Sequence, residues 1–327
     1  MARRDRTGHG GMSRIDILLA TYNGARFLPE QLASLAAQSH RDWRLLVRDD
    51  GSTDGSLDVV RAWSESVSQP VEIIEDGRKG LGASLNFAAL LEASEAPYFA
   101  CCDQDDVWLP EKLATMLAAV REAEHGLPDD TPVLAWSDLR VVDAALQPIA
   151  DSFHRFSRRP TLYPGRELRQ VMLHNVVTGC ASLGNAALRD KALPVPPAAS
   201  MHDWWLAMVA AGLGELVRVR QATILYRQHG GNTLGANAND PLSQLRYVAG
   251  NAGEAAARSR KLLAATQRQA GAFVERYGDR LTAEDRAILQ AYAALPGKGL
   301  AARKAFFLRD RLLADNILKN LPFFILS

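Results

Sequence analysis

The sequence predicts an α/β protein, a mostly parallel central sheet flanked by helices, with a helical region at the C-terminal end. Three observations carry that prediction. From Arg14 to about Glu111 short apolar strands alternate with amphipathic helical stretches, the order that lays a parallel sheet under helices. The glycine- and carboxylate-rich segments each follow a strand in that region. From about Asp240 onward β-branched runs give way to Ala, Arg, Leu, Gln and Glu at helical spacing.

Taken in order, the strand IDILLA leads to a helical stretch from Glu30 to Gln38, and WRLLVRDD to one from Asp58 to Trp63. VEIIED precedes a helix from Leu81 to Glu92. YFACC ends in an acidic loop, after which Pro110 opens the next helix. VLAWSDLRVVD reads as a further strand, and a Pro- and Arg-rich stretch then runs to about Pro164 as a loop or subdomain on the acceptor side. A helix from Glu167 to Leu173, the segment VVTGCASL, the linker PVPPAAS and a helix beginning at HDWWLAMVAA come next. ELVRVR and TILYRQHGGN are expected to be two closing strands. The expected division is a flexible tail over 1–13, a catalytic domain over 14–239 and a helical region over 240–327. The catalytic domain divides at 111 into a nucleotide-binding half and an acceptor half.

At 327 residues, 47% hydrophobic and 23% charged, the chain can bury a large core and is not disordered as a whole. A formal net charge of +1 supplies no broad field for holding nucleic acid, so a small or locally charged ligand is expected instead. Three cysteines, two of them the adjacent Cys101 and Cys102, are poor geometry for a disulfide framework and fit a reducing cytoplasm. The basic, glycine-rich start has no apolar run of the secretory type. No stretch reaches the roughly 20 apolar residues that span a bilayer.

Ligands of open α/β sheets bind beyond the carboxyl ends of the strands. TYNG, DDGSTDG and DQDD all fall there. In DQDD, Asp103 and Asp105 repel one another unless a cation neutralises them, and a hard divalent ion bridging two phosphates would do so; the same residues also read as an acidic turn capping the next helix, with Asp106 one of several possible caps. Asp49 and Asp50 can accept from the N–H of a uracil or thymine ring or from a ribose hydroxyl, or can serve a strand-to-helix turn. Thr21, Tyr22, Asn23 and Gly24 form a tight turn or a wall for the base with Tyr22 as stacking surface.

ILLATYNG, RDDGSTD, LGASLNF and FACCDQDDVWLPEKL, in this order, resemble the family 2 glycosyltransferases of the GT-A fold. SDLRVVD, HDWWL and YRQHGGN make the chain similar to the rhamnosyltransferase-type branch of bacterial surface polysaccharide assembly, a likeness covering about residues 14 to 235. The resemblance implies an inverting, metal-dependent transfer of a sugar, L-rhamnose from dTDP-L-rhamnose, to a hydroxyl of a glycan or polyprenyl-linked glycan acceptor. It implies nucleotide-sugar contacts from Thr21, Tyr22, Asn23, Asp49, Asp50 and Asp103, with Arg227 neutralising the leaving group. Asp105 and His229 would hold Mg²⁺ or Mn²⁺, and Asp203 would be the catalytic base, its alternative role being the N-cap of its helix.

Two departures stand out. The acidic pair often written Glu-Asp at the base position is His202-Asp203 here, and the Gln-x-x-Arg-Trp signature of processive synthases is absent, which implies single addition. Rival readings are a nucleotidyltransferase, disfavoured by the missing basic phosphate loop after the first strand, and an inactive sugar-binding module. No G-x-G-x-x-G follows IDILLA, so a dinucleotide oxidoreductase is not expected. The C-terminal region carries Arg303, Lys304, Arg309, Arg311 and Lys319 against Asp310 and Asp315, beside Phe306, Phe307, Leu308, Leu312, Leu313, Ile317 and Leu318. It is expected either to touch the cytoplasmic face of the inner membrane or to pack on the catalytic domain.

Overall fold

The structure, a computed structural model, describes residues 13–157, 159–230 and 252–309. Its first half alternates strand and helix as the sequence predicts: β1 (Ile15–Thr21), α1 (Leu28–Ala36), β2 (Trp43–Asp49), α2 (Ser56–Ser64), β3 (Val71–Ile73), α3 (Gly82–Ala93) and β4 (Tyr98–Asp103). Then come β5 (Val107–Trp108), α4 (Lys112–Glu124), β6 (Val133–Val142), β7 (Pro148–Ala150), α5 (Phe153–Phe156) and α6 (Glu167–Leu173). β8 (Ser182–Asn185), α7 (Ala186–Ala192), α8 (His202–Leu213) and β9 (Glu215–Arg227) complete the sheet. The C-terminal helices are α9 (Ala252–Tyr277), α10 (Ala283–Ala293) and α11 (Leu300–Arg309).

The strands form one sheet in the order β3-β2-β1-β4-β8-β6-β9-β5, with β7 beside β6. The first four are mutually parallel because each is joined to the next by a helix. β8 enters antiparallel to both β4 and β6, so the sheet is parallel in its first half and mixed beyond. Register aligns the strand ends: Thr21 pairs with Asp49, and Ala20 with Asp103. Three polar segments far apart in sequence therefore emerge along one edge.

ELVRVR and TILYRQ, expected as two strands, are one. β9 runs parallel to β6 through register shifts at Ser137/Asp138 and Asp138/Arg140, and these bulges break the alternation that the sequence pattern relies on.

Alternation along the strands feeds two cores. Ile15, Ile17, Leu19 and Cys102 face the layer with α1 and α4, whereas Leu18 and Cys101 face α3, α6 and α8. Cys101 and Cys102 thus point to opposite sides of the sheet, and all three cysteines are free and buried. The C-terminal helices join the second core. Phe273 of α9 meets Trp205 edge-on with centroids 5.5 Å apart, and Arg169 of α6 pairs with Asp285 and Glu284 at 2.9 Å each. Phe306 and Phe307, counted in the sequence as apolar surface, are buried against Tyr292. Residues from Asp310 to the end lie outside the described residues, as does the tail before Ser13. No helix among the described residues is long and apolar enough to cross a membrane.

Candidate active site

A cleft of about 810 Å³ opens over the carboxyl ends of β1, β2 and β4 and reaches to the start of α8. Thr21, Tyr22, Asp50, Asp103, Asp105 and Asp203 line it; Asn23, Asp49, Arg227 and His229 do not.

The loops after β1 and β4 are clasped by Gln104. Its Oε1 accepts from the Thr21 hydroxyl at 2.7 Å and the Tyr22 N–H at 2.8 Å, while its Nε2 donates to the Tyr22 carbonyl at 3.0 Å. A Cβ on Gly24 would stand 2.2 Å from Gln104 Oε1, so the close approach requires glycine at that position. The clasp leaves the Tyr22 ring 57% exposed at the rim. Asn23, in the left-handed region with φ 49°, instead ties the loop to its neighbour, receiving the Thr53 N–H on Oδ1.

Asp49 turns away from the cleft. Its carboxylate accepts from the backbone N–H of Gly51 and Ser52 at 2.9 and 2.7 Å and from the Ser52 hydroxyl, the turn-stapling role left open for it. Asp50 lines the cleft but also anchors the start of α3, accepting from the N–H of Leu81 and Gly82 at 2.9 and 2.8 Å. Behind it lies a residue the sequence reading passed over. Arg48, fully buried, forks onto Asp76 at 2.9 and 3.0 Å and reaches Asn86, Asp50 and the Arg78 carbonyl. The Arg48 hydrogen bonds outweigh desolvation and hold Asp76 far below the ordinary carboxylate range.

On the acidic loop, burial first and then the charges of Asp105 and Asp203 push Asp103 up to about 7. Asp106 is buried and accepts from the Arg227 N–H at 3.1 Å, so it supports the end of β9 and caps no helix. Asp103, Asp106 and Cys180 bring one ligand atom each within 4.8 Å. That inner group suits a hard cation poorly: burial pushes the Cys180 thiol well up, so it stays protonated, and the buried Lys112 ammonium lies within electrostatic reach. Nearer the solvent, Asp105 Oδ2 lies 2.8 Å from His229 Nε2, each side chain partly exposed. The Asp105 carboxylate and the His229 imidazole, with Asp103 on the same loop, offer oxygen and nitrogen donors of the kind that Mg²⁺ and Mn²⁺ accept.

Arg227, expected to face the leaving group, is 1% exposed and spends its guanidinium inside the protein. It donates to the carbonyls of Asp105 and Ala144 at 2.8 Å and to Glu30. It shapes the acidic loop from behind and does not reach the cleft.

Across the cleft, Asp203 is not the N-cap of α8; Met201 occupies that position. Its Oδ1 accepts from Asn175 Nδ2 at 2.9 Å and the Trp204 N–H at 2.7 Å, and its Oδ2 from the Gly179 N–H at 3.0 Å. The carboxylate is fixed in orientation with its edge on the cleft. His202 stacks on Phe87 at 4.1 Å; burial pushes its pKa down, so the ring is neutral. Asp138 stands apart, holding Ser152 and the His154 N–H.

The sequence profile of glycosyl transferase family 2 matches residues 16–191. The chain is 27% identical over 227 residues to the uncharacterized glycosyltransferase alr2836 of Nostoc sp., covering 67% of this chain and 66% of that protein. It is 27% identical over 231 residues to the dTDP-rhamnosyl transferase RfbG of Shigella flexneri, covering 67% and 74% of the two chains. The fold resembles a mannosyltransferase from Pyrobaculum calidifontis, solved with GDP-Man and Mn²⁺, with a TM-score of 0.53 at 14% identity, covering 95% and 83% of the chains. The architecture is the GT-A fold.

Proposed function

The chain belongs to glycosyl transferase family 2, and from that premise we propose that it transfers a sugar from a nucleotide diphosphate donor to a hydroxyl of a glycan acceptor in bacterial surface polysaccharide synthesis. The observation that carries this reading is the opposition, across one cleft, of the acidic loop bearing Asp103 and Asp105 and the oriented carboxylate of Asp203.

In this reading the nucleotide lies along the edge formed by Thr21, Tyr22 and Asp50, with Asp103 toward ribose or diphosphate. Asp105 and His229 would hold Mg²⁺ or Mn²⁺, which when bound offsets charge on the departing diphosphate. Asn23, Asp49 and Arg227 act indirectly, by holding the loops that carry these groups. Asp203 takes the proton of the acceptor hydroxyl as that oxygen attacks the anomeric carbon from the face opposite the diphosphate. One such displacement inverts the anomeric centre, which NMR of the product against the donor tests.

We read residues 14–239 as the catalytic unit; its boundary near 240 with the C-terminal helices lies outside the described residues. L-Rhamnose is the proposed sugar, supported by the likeness to RfbG, and a glycan or polyprenyl-linked glycan the proposed acceptor. Faster turnover with UDP-glucose or GDP-mannose than with dTDP-L-rhamnose would overturn the sugar and leave the class. Contact with the cytoplasmic face of the membrane rests on the exposed Leu300 and Leu308 of α11 and on the basic residues around them, since Phe306 and Phe307 are committed to the core. Equal liposome flotation of the full chain and a chain ending at 299 would remove it.

A further inference from the structure

The acceptor wall of the cleft contains a cation that the proposed chemistry leaves unused. Arg159 lines the cleft from the stretch between α5 and α6. Its guanidinium rests 4.9 Å from the Phe153 ring centroid, and Nη1 donates to the Asn175 carbonyl. Among the described residues no carboxylate lies within ion-pair distance of it, and desolvation by burial pushes its pKa down. The guanidinium is partly buried at the cleft wall and feels Asp203 only at a distance, with no described carboxylate in direct contact, and its planar fork matches an oxyanion.

Its neighbours say which anion. Arg159 is linked through Asn175 to Asp203, because Asn175 gives its carbonyl to Arg159 and its amide to the Asp203 carboxylate. The electrostatic partners of Arg159 are Asp203 and Tyr226, with none from the acidic loop. Nearby polar atoms also lack partners: Asn175 Oδ1 and both ring nitrogens of His202, the latter a neutral and 97%-buried side chain at the same wall. In the proposed function the donor diphosphate takes its counter-charge from the cation at Asp105, on the other wall.

We propose that Arg159 holds a phosphate-type oxyanion of the acceptor, so that the natural acceptor carries a phosphate or diphosphate close to the hydroxyl presented to Asp203. This rests on the glycosyltransferase reading and adds to it the charge class of the acceptor.

The test uses the full chain saturated with UDP or dTDP and Mn²⁺. N-acetylglucosamine linked to a decyl chain through a diphosphate is titrated in, with the decyl glycoside lacking the diphosphate as its neutral counterpart. The wild type binds the diphosphate-linked compound at least ten-fold more tightly. Arg159→Gln abolishes that preference with nucleotide affinity unchanged within two-fold, and Arg159→Lys, which keeps the charge, retains part of it. Absence of a preference in the wild type overturns the proposal, as does a preference that survives in Arg159→Gln. An equal loss of nucleotide affinity in that variant assigns Arg159 to the donor and overturns it too. Should Arg159→Gln not fold, the wild-type preference and the Arg159→Lys affinity decide. Failure of the nucleotide itself to bind would instead count against the glycosyltransferase reading.

Discussion

Asp105 and His229 stand 124 residues apart in sequence and meet across the end of the sheet, with His229 Nε2 2.8 Å from Asp105 Oδ2. Two residues before His229, the Arg227 guanidinium grips the Asp105 carbonyl. The end of β9 therefore sets both the side chain and the backbone of the acidic loop.

From this pairing, Asp105→Asn and His229→Ala are expected to weaken Mn²⁺-dependent binding of UDP or dTDP by about 10- to 100-fold, the usual effect of disturbing a metal's ligands or their supports. Calorimetry with and without chelator checks it. Identical affinity of wild type and both variants, or indifference of the wild type to chelator, would remove the metal from this site.

The buried fork of Arg48 predicts a stability effect of a different kind. Arg48→Lys cannot pair with both Asp76 oxygens, Asn86 and the Arg78 carbonyl at once, and it leaves the buried Asn86 amide and the partly exposed Asp76 carboxylate short of donors. A loss of about 1–3 kcal/mol is expected in urea unfolding, from buried hydrogen bonds left unmade. A change under 1 kcal/mol would show that the network is not what holds the loop after β3.

Asp16 makes stability depend on pH. Burial alone would raise its pKa, but hydrogen bonds from Arg44, the Ala96 N–H and Ser94 prevail and hold it below the ordinary value. A lowered native pKa contributes stability that is complete above the unfolded value of about 4 and is lost as pH falls through the native one. Asp16→Asn should therefore cost roughly 1–3 kcal/mol at pH 7, where the ion pair and its hydrogen bonds are intact. The difference from wild type should shrink below pH 4. A pH-independent difference would contradict the assignment.

Gly24→Ala is expected to open the Gln104 clasp, because the added carbon would meet the Gln104 amide. Nucleotide affinity should fall, and Gln104→Ala added to it should relieve the clash without restoring affinity. Full recovery in the double variant would make the clasp irrelevant to binding.

The order of strands and the three polar segments on one edge were legible in the sequence, because period-2 and period-3.6 patterns are local and strand ends follow from them. The roles within the site were legible only in part. Asp49 and Arg227 have the right chemistry for a phosphate or a sugar, yet Asp49 is consumed by its own turn and Arg227 by Glu30, 197 residues away. Arg48, Gln104, Asn175 and Arg159 were missed for the complementary reason. Gln104 looked like a spacer between two carboxylates, and its partners Thr21 and Tyr22 lie more than 80 residues upstream. Arg159 sat inside a Pro- and Arg-rich stretch that read as a loop or subdomain on the acceptor side, with nothing to single out one arginine.

The proposed role of Asp203 as base is tested by Asp203→Asn. Asn cannot take the acceptor proton, and turnover should fall by about 10² to 10⁴-fold. Its amide also faces the Gly179 N–H, so a modest fall in melting temperature is expected alongside unchanged nucleotide affinity. Turnover near that of the wild type would dismiss Asp203 as the base.

The central claim is transfer of a sugar from a nucleotide diphosphate donor. The most direct measurement is incubation of the full chain and Mn²⁺ with dTDP-L-rhamnose, UDP-glucose, UDP-N-acetylglucosamine and GDP-mannose, each with a diphosphate-linked glycan acceptor, followed by identification of the released nucleotide. The account predicts release of the nucleoside diphosphate, stoichiometric with glycosylated acceptor, for at least one donor and its loss on adding chelator. Release of a nucleoside monophosphate or pyrophosphate in its place, or nucleotide binding without release from any donor, would contradict it.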